Sequence, residues 1–102
     1  MRKFWHALCA WSEKQFGLSD ERGPIGPLKH LQREIEELLQ CPDDPEEYAD
    51  AVFLIFDAAW RAGVTYPELM ETLWYKLGKN KRRNWPPTSA TGVVEHVKGV
   101  ND

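Results

Sequence analysis

Apolar residues recur along the chain at helical spacing in four stretches separated by glycine and proline, and no stretch alternates as a half-buried strand would. In the first, about residues 2–16, Phe4, Trp5, Leu8, Trp11 and Phe16 share a face and Gly17 supplies a stop. Residues 17–27, GLSDERGPIGP, carry three glycines and two prolines and read as a loop. It is the longest connection, and so a candidate lid or binding segment. A second helix over about 28–40 has Leu28, Leu31, Ile35, Leu38 and Leu39 as its apolar side, and CPDDP breaks it. Asp44 then reads as an N-cap, Pro45 suits the first helical position, and Glu47 completes an acidic variant of a capping box. The third helix runs from about 45 to Gly63, which can take the left-handed C-terminal position. Thr65 and Glu68 form a capping box around Pro67 and open a fourth helix, with Leu69, Met70, Leu73, Trp74 and Leu77 as its core stripe. Its end is expected near 81–84, because WPP cannot continue it. Residues 86–102 read as a loop-like tail with a short apolar piece at Val93 and Val94. The expected fold is all-α: a single four-helix-bundle-like domain over 1–102 with a central antiparallel helical hairpin.

That hairpin brings carboxylates together. Glu34 and Glu37 precede the turn, Glu47 and Asp50 follow it, and each pair lies three residues apart on one helical face. Antiparallel packing predicts Glu37 level with Glu47 and Glu34 level with Asp50. Two like charges 4 Å apart repel by about 4 kcal/mol even at an effective dielectric near 20, so four carboxylates at that density call for a cation. Oxygen-only ligands favour Mg²⁺ or Mn²⁺ over zinc or copper. The alternative is a solvated acidic face with partners such as Arg33 to Glu37. A di-iron site needs Glu-x-x-His pairs, and neither helix interior has the histidine.

Composition adds limits. A chain of 102 residues with 42% hydrophobic and 28% charged residues is ordinary for one soluble folded domain. Two cysteines, Cys9 and Cys41, make neither a disulfide framework nor a metal motif and read as reduced thiols. The N-terminal apolar run is broken by His6, Ser12, Glu13 and Lys14, which excludes a secretory signal and a membrane span. A cytoplasmic protein is expected. Net charge is only −3, yet KLGKNKRR at 76–83 is wholly basic among its charged residues. Lys76, Lys79, Asn80 and Arg83 fall on roughly one helical face and can grip a polyphosphate, or can simply complement the helix dipole.

Carboxylate-held metal beside a basic face is equipment for phosphate chemistry. The pattern ExxE at 34–37 followed by ExxD at 47–50 resembles the MazG-like all-α nucleotide pyrophosphohydrolases. The stretches GPLKHLQREIEELLQCPDDPEEYADAVFLIFDAAWRAG, KNKRRNW and GVVEHVKG together resemble the phage dATP/dGTP pyrophosphohydrolase branch that includes the MazZ enzymes. The resemblance implies a MazG-type domain and hydrolysis of a purine deoxynucleoside triphosphate, dGTP or dATP, between its α and β phosphates. It implies Glu34, Glu37, Glu47 and Asp50 as catalytic metal ligands holding two or more Mg²⁺ or Mn²⁺ ions. It further implies phosphate contacts from Lys76, Lys79, Asn80 and Arg83, and a homodimer or homotetramer. Its setting would be phage nucleotide-pool or modified-purine metabolism, in the bacterial host cytoplasm.

Asp57 lies seven residues beyond Asp50 on the same face, in an apolar segment. It can accept from guanine N1 and N2, read adenine if protonated, or pair with Arg61 at i+4. Trp11, Phe16 and Trp60 can stack on a base or belong to the core, and His6, His30 and His96 have no evident role. A different class of answer is a small helical nucleic-acid-binding protein using 76–85, with Trp85 stacking on a base. It leaves the mirrored carboxylates unexplained, and neither a nucleic-acid nor a membrane partner is expected.

Overall fold

The computed structural model describes residues 1–17 and 22–83. Expectations for the 86–102 tail, Trp85, His96 and the middle of the 17–27 loop lie outside the described residues. Four long α-helices and no strand occur among those described: α1 (Arg2–Phe16), α2 (Ile25–Gln40), α3 (Pro45–Arg61) and α4 (Tyr66–Arg82). The fold class is all-α, as the helical spacing predicts. No described helix is long and apolar enough to cross a membrane.

The chain divides into two compact units, with the boundary between Tyr66 and Pro67. In the first, α2 and α3 pack as an antiparallel hairpin and α1 lies on α3. The core sits between α1 and α3, where Trp5, Leu8, Leu54, Phe56 and Ala58 are buried. Trp5 contacts the rings of Phe56 and Tyr66 at centroid distances of 5.2 and 5.9 Å, and Phe4 closes on Phe56 at 6.1 Å. Full burial of a leucine or phenylalanine, as at Leu8 and Phe56, contributes about 1.5–3 kcal/mol by leaving water.

The local signals hold with two exceptions. Helix α2 begins at Ile25, three residues earlier than its apolar pattern predicts, because neither proline obstructs it. Pro24 is the N-cap and Pro27 lies in the first turn, where a backbone N–H has no intrahelical acceptor anyway. The Asp44 to Glu47 capping box is half made. Asp44 Oδ1 accepts from Glu46 N at 3.0 Å, but the Asp44 N–H goes to the Cys41 carbonyl at 3.3 Å. Glu47 is thereby released from capping. The turn is tied by Tyr48, whose hydroxyl donates to the Pro42 carbonyl at 2.9 Å. Gly63, at φ 89°, ends α3 as predicted.

Burial departs further from the periodicity. Phe4, Trp11 and Phe16 on α1 are about half exposed, and Leu28, Ile35 and Leu39 on α2 are exposed, up to 71% for Leu39. The expected core stripe of α4 is likewise uncovered, with Leu73, Trp74 and Leu77 exposed and no residue of that helix buried. Periodicity identifies an apolar face without naming what covers it. Both cysteines are free thiols; burial, then the charge of Asp57, pushes Cys9 up to about 11, which makes it unreactive.

Candidate active site

The short turn between α2 and α3 sets the site. Glu34 and Glu37 project from one face of α2, and Glu47 faces them from the first turn of α3. Each of the three offers a carboxylate oxygen, and these oxygens all lie within 4.8 Å of one another. The register is tighter than the predicted pairing: Glu47 meets Glu34 as well as Glu37, while exposed Asp50 stands one turn further along. One oxygen of Glu34 and one of Glu47 are buried without a hydrogen-bond partner. The Glu47 carboxyl is raised from its ordinary 4.5 to about 7, through lost solvation first, then hydrogen bonding to Glu34 and the negative charges of Glu37, Glu34 and Asp50. Its site therefore disfavours a bare negative charge and favours a proton or a cation. His30 completes the cluster's edge, with Nε2 at 3.2 Å from Glu34 Oε1, a contact the sequence reading leaves without a role.

Beyond the carboxylates opens a cavity of about 720 Å³, within the size range of small-molecule sites. Glu34 and Asp50 line its mouth, and Trp11, Phe16 and Phe53 supply flat apolar walls. Trp11 meets Phe16 and Phe53 edge-on at 5.6 and 5.5 Å, so the rings are positioned by each other and not by a closed core.

The inner end is polar. Asp57 is 4% exposed, and both readings of it meet there: it pairs with Arg61, Nη2 to Oδ2 at 3.0 Å, and it lines the cavity. Its other oxygen, Oδ1, accepts from Ser12 Oγ at 2.7 Å. Arg22 joins from the segment before α2, donating from Nη2 to Ser12 Oγ at 3.4 Å and from Nε to the Gly17 carbonyl at 3.1 Å. Burial, and then the neighbouring charge of Arg61, lowers the Arg22 guanidinium below its ordinary range. Ser12 and Arg22 escape the sequence reading. Ser12 carries a signal, since it continues the Trp5, Leu8 stripe and is fully buried; Arg22 lies in the stretch read as a loop, although the structure makes it helical, and carries none.

Lys76, Lys79, Asn80 and Arg83 belong to the second unit, at and just beyond the C-terminal half of α4. Within it Arg83 Nη1 donates to Asn80 Oδ1 at 3.0 Å.

The MazG-like pyrophosphohydrolase of cyanophage S-2L, solved with dGDP and three catalytic Mn²⁺ ions per active site, superposes with a TM-score of 0.76 and 29% identity, over 97% of this chain and 93% of that one. The Eaa protein of Salmonella phage P22 is 45% identical over 88 residues, 86% of this chain, and this chain spans only 27% of its length. The model of the dATP/dGTP pyrophosphohydrolase family matches residues 4–102, and the chain belongs to that family.

Proposed function

We propose that residues 1–102 act as one domain that hydrolyses a purine deoxynucleoside triphosphate, dGTP or dATP, between the α and β phosphates, releasing the monophosphate and pyrophosphate. The observation that carries this reading is the meeting of Glu34, Glu37 and Glu47 oxygens within 4.8 Å at the mouth of a nucleotide-sized cavity. A carboxylate-only donor set with buried unpartnered oxygens on Glu34 and Glu47 suits Mg²⁺ or Mn²⁺. Those three residues, with Asp50 at the cavity edge, would hold two or more ions. Ions held there would supply charge neutralisation for phosphate oxygens and an acidified water for attack on phosphorus.

The chain's own residues do the rest. Glu47, whose carboxyl is raised to about 7 without metal, would exchange its proton for an ion when the site is loaded. His30 holds Glu34 in orientation. The cavity walls from Trp11, Phe16 and Phe53 take the base and keep water from it, while Asp57 serves at the inner end. In the second unit, Lys76, Lys79 and Arg83 carry the charge, and Asn80 the amide, suited to phosphate contacts.

A homodimer or homotetramer is supported by the apolar residues left exposed on the hairpin, Leu28, Ile35 and Leu39 on α2 with Tyr48, Val52 and Ile55 on α3. The phage relatives support a role in phage nucleotide-pool or modified-purine metabolism in the host cytoplasm. The deciding experiment incubates purified protein with each deoxy- and ribonucleoside triphosphate, with Mg²⁺, Mn²⁺ or chelator, and separates products by anion exchange. Metal-dependent monophosphate and pyrophosphate, strongest for dGTP or dATP, is the expected result; no turnover by folded protein with either metal refutes the reading.

A further inference from the structure

Resting on the nucleotide reading above, the inner end of the cavity also says which purine fits. Both oxygens of Asp57 are held, Oδ1 accepting from Ser12 at 2.7 Å and Oδ2 from Arg61 at 3.0 Å. The groups left there with no partner at all are donors. Arg22 Nη1 and Arg61 Nε are buried and have no hydrogen-bond partner. A guanidinium has five N–H donors and no acceptor, and a buried donor left unpaired is costly, most of all on a charged group. Both arginines line the same cavity, and Phe16 lies under both, 5.5 Å from Arg22 and 5.7 Å from Arg61.

A ligand that brings adjacent acceptors into that end relieves both donors at once. Guanine presents O6 and N7 side by side, whereas adenine presents N7 beside an amino donor. Adenine would set N–H against N–H. Phosphate is the other acceptor an arginine favours, but Asp57 lies seven residues, about 10 Å, along α3 from Asp50. A nucleotide with its phosphates at the carboxylate cluster therefore puts its base, not its phosphates, among the arginines. The N1 and N2 groups of guanine are donors, and an arginine N–H cannot accept from them.

We propose that Arg22 and Arg61 read the O6 and N7 edge of guanine and make this cavity selective for guanine over adenine nucleotides, with Ser12 and Asp57 as positioning residues that aim the two guanidiniums.

The test compares dGTP, dITP, 7-deaza-dGTP and dATP, reading kcat/KM with Mn²⁺ and, separately, dissociation constants with Ca²⁺ in its place. Loss of one arginine-to-guanine pairing corresponds to roughly a tenfold to hundredfold change. dITP, which lacks only the 2-amino group, is expected to match dGTP, and 7-deaza-dGTP and dATP to fall by that factor. Arg22→Met and Arg61→Lys, the second keeping a cation beside Asp57, should draw the dGTP to dATP ratio towards one. Equal use of dATP and dGTP overturns the proposal, as does full use of 7-deaza-dGTP with poor use of dITP. If either variant fails to fold, the substrate panel on the unaltered protein decides. Binding in the expected order without hydrolysis defeats the proposed reaction and leaves base reading standing; hydrolysis without the order does the reverse. No binding of any nucleotide defeats both.

Discussion

The two carboxylate centres of the hairpin, ten residues apart on α3, are opposites. At Glu47 three carboxylates crowd together, with oxygens of Glu34 and Glu47 buried and unpartnered. At Asp57 one carboxylate sits between Ser12 and Arg61 with both oxygens held, and the unpartnered groups are donors. The first centre lacks positive charge and the second lacks acceptors. A nucleoside triphosphate with divalent ions brings both complements at its two ends, so each centre makes chemical sense only when the other is considered.

Removing a carboxylate from the crowded centre should have the largest effect on activity. Glu37→Ala is expected to lower kcat/KM by at least about a hundredfold, through loss of a ligand for the ions. Its circular dichroism and metal-free Tm should stay near those of the parent, because the change relieves repulsion; wild-type activity in this variant would sink the assignment. Asp57→Ala should do the reverse and strike stability first. It leaves the buried Arg61 guanidinium without its partner, a cost of about 3–5 kcal/mol, which thermal or urea unfolding will register. Asp57→Asn should cost less, since the amide oxygen can still accept from Arg61 or Ser12.

A control for ordinary helix energetics is Asp44→Ala. It removes the acceptor for Glu46 N and should cost about 1 kcal/mol without altering metal affinity. The smallest and most diagnostic effect is on pH. Glu47 binds its proton more tightly folded, at about 7, than unfolded, near 4.5. Its favourable contribution is complete below pH 4.5 and is lost as pH rises through 7. Metal-free protein should therefore lose Tm between those values, and Glu47→Gln should flatten the loss. Saturating Mn²⁺ should reverse the slope, since ions compete with protons for the same oxygens.

Much of this was legible in the residues. Helix boundaries at Gly17, Asp44 and Gly63 follow from left-handed glycine and from a side chain that accepts a backbone N–H, properties that act over one turn. The spacing of Glu34, Glu37, Glu47 and Asp50 about a short turn is likewise local, because a tight hairpin leaves little choice of register. The early start of α2 was missed because prolines usually read as breakers, yet Pro24 and Pro27 occupy positions where the missing donor costs nothing.

What the sequence by itself determined is the set of helices, their ends except the start of α2, and the shared face of the carboxylates, because these depend on neighbours within a few residues. Tertiary structure alone decided that Glu47 turns from its capping position towards Glu34, that Ser12 of α1 meets Asp57 of α3 across 45 residues, and that Arg22 arrives at the same point from the segment before α2. It also decided which apolar stripes are buried, covering Trp5 and Phe56 while leaving Leu39 and Trp74 open. Periodicity specifies that a face is apolar or acidic. Which distant group meets that face is set by how the helices pack, and no local pattern encodes it.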